Sequence, residues 1–526
     1  MKKFFTAILL CVCAILTAEP GYFVSGQGSD NSSGLSETSP FKTLARALAA
    51  VQSARNGIRT IIIVGVLDGK DEPVVDKASV FCIKDSGPAE ITIRGKNGAA
   101  LLGQGYDFVL AGSPPEMQTA AGDPVEPDYS EGKRVISVMG NSRIRFAGIE
   151  ISRGLADEGG GLLVSHGASV IMENGLIRSN AARSMGGGVF VMEHASFILR
   201  GGSIRGNTAV MGGGAAFHRG TCLIEDGDIN ANAGVHGGGL WSAYGSTIAF
   251  TGGEIAGNDA FDDGGGIAVH EASLTMAGRA ALRNNRAPKG AGMYIEHGGY
   301  LPGQGVVMYG GIIENNETDG SGGGGSYNGG GGVYNDGVFT MRGGEIRRNK
   351  ATGDYYAGRG GGIFVGREKS FLFSGGRIEE NDAEKEGGGI YADAGSAIEC
   401  VPFYPAVIVK NSAAYGGGIY IQQASVVMQS GSIAENKAVY LGGGVDVDGG
   451  IFEMRGGEIS GNRVEESRIT TDRGEVRRLD KKGGGVFLER RGIFRLYEGT
   501  VSRNVAGFGD AVMVVRGAAF EMYGGE

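Results

Sequence analysis

GGGVFVMEHASFILRGGSIRGNTAVM, residues 186–211, decides the fold. Three short apolar runs, V-F-V, F-I-L and the single Ile204, are separated by glycines and polar residues. Each run is too short for a helix, and its apolar residues alternate with period two. Three strands in about 26 residues describe one coil of a parallel β-helix, whose coils stack ~4.8 Å apart. The unit recurs. GGG begins at Gly159, Gly186, Gly212, Gly237, Gly264, Gly330, Gly360, Gly387, Gly416, Gly442 and Gly483, with GAG at Gly290 and GDA at Gly509. Most intervals are 25 to 30 residues and two are 40 or 41. A fixed period of this length marks a solenoid, in which each unit buries its apolar face against its neighbours.

The frame repeats within each coil. The first residue after the triplet is aliphatic (Val189, Leu240, Ile267, Val333, Ile363, Ile390, Ile419, Val445, Val486), and the third often is as well. The second run repeats as Phe197/Leu199, Phe339/Met341, Phe371/Phe373, Phe452/Met454 and Phe494/Leu496, and the third as Ile204, Ile255, Ile346, Ile378, Ile433 and Ile459. Stacked like on like, these columns predict a long narrow core. An asparagine column runs from Asn180 to Asn504; its amides are expected to bond from coil to coil, with Asn supplying left-handed turn geometry. The predicted fold is all-β, a right-handed parallel β-helix of about 26 residues per coil. Residues 59–153 are less regular coils, and 154–526 carry the GGG/Asn repeat. Residues 19–58 read as an N-terminal cap in which Pro40 to Val51 form an amphipathic helix closing the open end.

Composition narrows the function. Glycine is 101 of 526 residues but not every third, which excludes collagen. Apolar content of 41 % argues against disorder, and net charge −9 against nucleic acid or an anionic membrane as partner. Lys2, Lys3 and the apolar run 4–16 read as a signal peptide, residues 1–18, cut after Ala18, so the mature chain is expected to be exported with no transmembrane segment. Leu10 and Val12 stand before Cys11 and Cys13 where lipidation wants a small residue. Cys82, Cys222 and Cys400 are too scattered for a disulfide framework or a zinc spacing and read as small buried hydrophobes.

The opening YFVSGQGSDNSSGLSETSPFKTLARAL (22–48) resembles pectate-lyase-like β-helix proteins, and the GGG[IV] and I-x-x-N marks are similar to the GGA[ILV] and FxxN repeats of chlamydial polymorphic outer-membrane proteins. The second resemblance implies a surface adhesin. The chain departs from that pattern by stopping at Gly524-Gly525-Glu526 in mid-repeat without a translocator barrel, which reads as a truncated product or fragment and offers the last coil for self-association.

The binding candidates are the middle residues of the first strand: Phe190, Trp241, Tyr294, Tyr334, Phe364, Tyr391, Tyr420 and Phe487. Alternation turns them away from the core, so they are expected to line an exposed aromatic stripe suited to sugar rings or a protein surface. The competing reading is that stacked rings only stabilise neighbouring strands. Insertions at 317–329, 350–359 and 463–482 border the same corner and add loops beside it. His166, His194, His218, His270 and His297 fall loosely in register, some beside Glu193, Glu271 or Glu296; they read as turn-lining residues rather than a metal row. Fold-related polygalacturonases carry N-T-D, D-D, G-H-G and R-I-K marks. Here Asp262-Asp263 gives D-D and His236 lies in V-H-G, but Asn207-Thr208 is followed by Ala209 and R-I-K is missing. The acidic pair therefore reads as a solvated loop, and no catalytic residue, metal or cofactor is assigned. The expected function is an exported, adhesin-like protein binding glycan or a host or cell-surface protein. A polysaccharide lyase or glycosidase is the first alternative and a structural envelope protein the second.

Overall fold

The computed structural model describes residues 20–55, 57–103, 108–111, 116–119, 132–296, 305–318, 328–353, 357–401, 404–465, 468–470, 476–478 and 481–526. The expected signal peptide and His297 lie outside them. All coil-to-coil strand pairs are parallel, and a 15-stranded sheet contributes one strand per coil, from Ser79–Lys84 through Val189–Val191 to Val512–Val514. Fifteen coils at ~4.8 Å give a rod roughly 70 Å long. A 26-stranded sheet merges the second and third strands of the coils, because strands such as Ser169–Arg178 and Ile451–Ser460 run around the corner between them.

Each regular coil also carries a fourth strand, where three were expected. It lies between the asparagine and the next triplet, as at Ala181–Met185, Thr208–Met211 and Ala233–His236, and forms two short five-stranded sheets. Where the insertions enter, near Glu317 and Gly329, only isolated bridges continue it.

The core columns form as the period predicts. Phe339 stacks on Phe371 at 5.1 Å between centroids, and Phe452 on Phe494 at 5.1 Å, close to the strand spacing. Cys222 and Cys400 are buried free thiols, and burial pushes Cys400 up to about 12. The asparagine ladder is unbroken from Asn180 to Asn504. Each Oδ1 accepts the main-chain N–H and the Nδ2 of the Asn one coil before, as Asn207 does from Asn180 at 3.1 and 3.0 Å. The left-handed turn residue is the one before each Asn, not the Asn itself: Ser179 (φ 51°), Arg348 (φ 52°) and Lys410 (φ 58°). That residue turns the corner so that the Asn amide can face inward.

The triplet is steric in origin. Gly186 has φ 64°; a Cβ on Gly187 would lie 2.3 Å from the Thr208 carbonyl oxygen of the fourth strand, and one on Gly188 2.5 Å from Gly214 O of the next coil. The chain therefore reverses between the fourth strand and the next first strand in a space that admits at most a small side chain in the inner coils, as at the buried Ala291 in the middle of one triplet.

The capping helix runs over Leu44–Ser53, a few residues later than read, because Thr43 caps it by accepting from Arg46 N at 3.1 Å. Leu44, Ala47, Leu48 and Val51 are buried against the first coils. Among the described residues no helix is long and apolar enough to cross a membrane.

Candidate functional site

The eight aromatic candidates fall in one strand register, completed by Leu163, Ala216, Ala268 and Asp446. Their rings stack: Tyr334 on Phe364 at 4.4 Å, Phe364 on Tyr391 at 4.8 Å and Tyr391 on Tyr420 at 5.7 Å. They point away from the main core, as alternation requires, but they do not form an exposed stripe. Phe190, Trp241, Phe364, Tyr391, Tyr420 and Phe487 are buried, and Tyr294 and Tyr334 are half-buried.

The cover is a second column, made by the residue immediately before each triplet. Met185, Met211, His236, Asp263, Lys289, Gly329, Arg359, Glu386, Tyr415 and Leu441 pair in succession along the fourth strands. The glycine reversal folds this column back over the rings. Met185 and Met211 pack on the cluster of Phe190 and Trp241, and Tyr415 packs on that of Tyr391 and Tyr420. Arg359 lies 5.1 Å over the Tyr391 ring, donates to its hydroxyl at 3.3 Å and pairs with Glu386 at 2.7 Å. Farther along, Tyr420 donates to Asp448 at 3.0 Å. Its column neighbour Asp446 is fully buried, and among the described residues neither of its carboxylate oxygens is hydrogen-bonded. Burial, then the charges of Glu489, Asp448 and Glu386, push the Asp446 carboxyl well above its ordinary range.

At one place both columns change character. Ala268 leaves a gap in the ring column between Trp241 and Tyr294, and the His270 imidazole lies beside both rings, 5.9 and 5.6 Å from them. Here the cover residues are His236 and Asp263. His236 Nδ1 stands 2.8 Å from Asp263 Oδ2, His270 Nε2 lies 3.7 Å from Asp263 Oδ1, and His270 Nδ1 is 2.5 Å from Glu296 Oε2. Burial alone would lower His270; the nearby Asp263 carboxylate and the hydrogen bond to Glu296 outweigh it and hold the imidazole at about 9. The hydrogen bond to Asp263 likewise raises His236. Burial would raise Asp263, but its two imidazole partners keep it below the usual carboxylate value, and His270 does the same for Glu296.

A depression of about 180 Å³ opens beside this cluster, lined by Trp241, Ala243, Tyr244, His270, Glu271 and Glu296. Tyr244 (φ 54°) and Glu271 (φ 50°) stand in left-handed turns at its edge, and Tyr244 is 51 % exposed. This volume is below the roughly 300–1,000 Å³ that engulfs a drug-sized ligand, so the depression can seat one ring of a longer chain and no more. A larger hollow of about 500 Å³ near Arg342, Leu372 and Tyr404 has no comparable convergence of titratable groups.

The site joins residues that the sequence reading kept apart. Asp262 and Asp263 do not share one solvated loop: Asp262 is half-exposed and 3.2 Å from Lys289, while Asp263 is only 4 % exposed. The histidines do not form one row. His218 and His270 end strands of the 15-stranded sheet, whereas His166 and His194 occupy the exposed turn after it. The signal that would have found the site is the residue before each triplet, taken with the residue six past the triplet's start.

A family model described as "Right handed beta helix region" matches residues 134–301. The chain is a right-handed parallel β-helix repeat protein. The matched stretch of this β-helix contains the whole His236–Glu296 cluster and Trp241. Comparison with curated proteins and with solved structures finds no match.

Proposed function

We propose that the protein is an exported, adhesin-like binding protein that recognises a glycan at the depression beside Trp241. The observation carrying this reading is the meeting there of aromatic rings with carboxylate and imidazole groups, on a column sealed over most of its remaining length. Ring faces suit the C–H surfaces of a sugar, and Glu271, Glu296 and His270 supply partners for its hydroxyls. The rod holds these groups on stacked coils, so little order is lost on binding. The adhesin reading also draws on the similarity of the repeats to surface-exposed polymorphic outer-membrane proteins, and the export reading on residues 1–18; finding the protein only in the cytoplasmic fraction would sink the latter. A panel of neutral and acidic glycans tests the site. Trp241→Ala and Tyr244→Ala abolish binding while keeping the β circular dichroism, and Tyr391→Ala, in the sealed stretch, leaves it intact. Equal binding by all four proteins would end the proposal.

The His236–Asp263–His270–Glu296 chain favours a second reading, a glycoside hydrolase or polysaccharide lyase acting at the same depression. Release of reducing ends or unsaturated uronates by the parent, lost in Asp263→Asn, would replace the binding reading with this one.

A further inference from the structure

We propose that His236, Asp262 and Asp263, with His270 beside them, form a binding site for one divalent transition-metal ion of the zinc type. Donor atoms of the first three lie within 4.8 Å of one another. Independently of that grouping, two buried polar atoms face each other beside it. Asp263 Oδ1 and His270 Nε2 stand 3.7 Å apart, and among the described residues neither makes a hydrogen bond. Asp263 is only 4 % exposed, so an unsatisfied oxygen there is costly unless something occupies the space between the two atoms.

The separations suit a metal. Imidazole nitrogen and carboxylate oxygen bind zinc at about 2.0–2.2 Å, so two donors on one tetrahedral ion stand roughly 3.3 Å apart. His236 Nδ1 and Asp263 Oδ2, 2.8 Å apart, need only a small adjustment to reach that spacing. An ion would take the place of the proton shared by His236 and Asp263, and a carboxylate binding it through both oxygens would satisfy Asp263 Oδ1 as well. The imidazole in the donor set disfavours calcium and magnesium, which take oxygen ligands. Lys289 now neutralises Asp262 at 3.2 Å and would swing aside. His236 and the Asp262–Asp263 pair sit on neighbouring strands of successive coils, so their spacing is fixed by the stack.

This inference does not rest on the glycan reading, and zinc alone is the probe. Full-length protein is stripped with a chelator and titrated with zinc chloride by calorimetry, with Tm recorded before and after. The expected result is one zinc per chain, a rise in Tm, and no response to calcium. His236→Ala and Asp263→Asn weaken binding by at least about 100-fold, while His194→Ala, in an exposed turn elsewhere, binds like the parent. His236 is part-exposed, so its variant carries the test if Asp263→Asn fails to fold. Absence of zinc binding by the parent would overturn the proposal. So would binding by His236→Ala equal to that of the parent, or binding lost in His194→Ala.

Discussion

Replacing Asn349 by Ala removes one rung from the middle of the asparagine ladder. Its Oδ1 accepts from Asn316 N at 3.0 Å and from Asn316 Nδ2 at 2.9 Å; its Nδ2 donates to Ile313 O at 2.9 Å and to Asn381 Oδ1 at 3.0 Å. The bond from its own main-chain N–H to Asn381 Oδ1 survives the change. The side chain is fully buried, so water does not replace what is lost. Four bonds at a net of about 1 kcal/mol each give a destabilisation of about 4 kcal/mol, with two stranded donors on Asn316 as the main cause. Coils contact only their neighbours, so the effect is local rather than a uniform shift of one global transition. Hydrogen exchange is therefore the right assay. The amides of residues 312–318 and 345–351 should lose protection by roughly a thousandfold, while those around Asn207 are unchanged. A loss below about tenfold, or one spread evenly along the rod, would refute the reasoning that the ladder holds each coil to the next.

Two further outcomes follow from the same geometry. Gly388→Ala places a methyl 2.3 Å from Ser412 O and 2.5 Å from Gly417 O, both main-chain atoms that must shift to admit it, whereas Gly206→Ala meets nothing within 4 Å and suffers only from φ 60°. Thermal melts should show a cost of about 1–2 kcal/mol for the second and clearly more for the first; equal melting of the two variants would remove the steric account of the triplet. Asp446 binds its proton more tightly in the folded than in the unfolded chain, because burial and then the nearby carboxylates raise its pKa. The contribution of this group to native stability is therefore most favourable where it is protonated in both states, and it falls as pH rises above about 4 toward the raised folded value. In urea titrations Asp446→Asn should be more stable than the parent at pH 8, the difference shrinking toward pH 4; an unchanged pH slope would contradict the assignment.

Much of the molecule is legible in its sequence because a solenoid repeats its local chemistry in register. The period, the inward aliphatics and the Asn column each report a position occupied by one residue type in coil after coil. The outward direction of Trp241 or Tyr391 is also legible, since alternation along a strand dictates it. Their burial is not. The cover is laid down by a short fourth strand with register shifts, as between Ala181 and Met185, and no single chemistry marks it. Met211, His236, Asp263, Lys289 and Arg359 occupy the same place in successive coils. Their chemistry changes from coil to coil, so the column shows no apolar period. The left-handed residue before each Asn was missed for a related reason: besides Gly and Asn, which favour that conformation, Ser, Ala, Arg, Lys and Glu also fill it, so no single residue type marks it.

Trp241 is the only tryptophan in the chain, and it lines the depression. Its fluorescence is therefore a direct report on the proposed site. Titration with the glycan panel should give a saturable shift or quench for at least one glycan, lost in Tyr244→Ala and unaffected in Tyr391→Ala. Binding of a glycan with no change in Trp241 emission would place recognition elsewhere on the rod, and no binding across the panel would contradict the glycan reading itself.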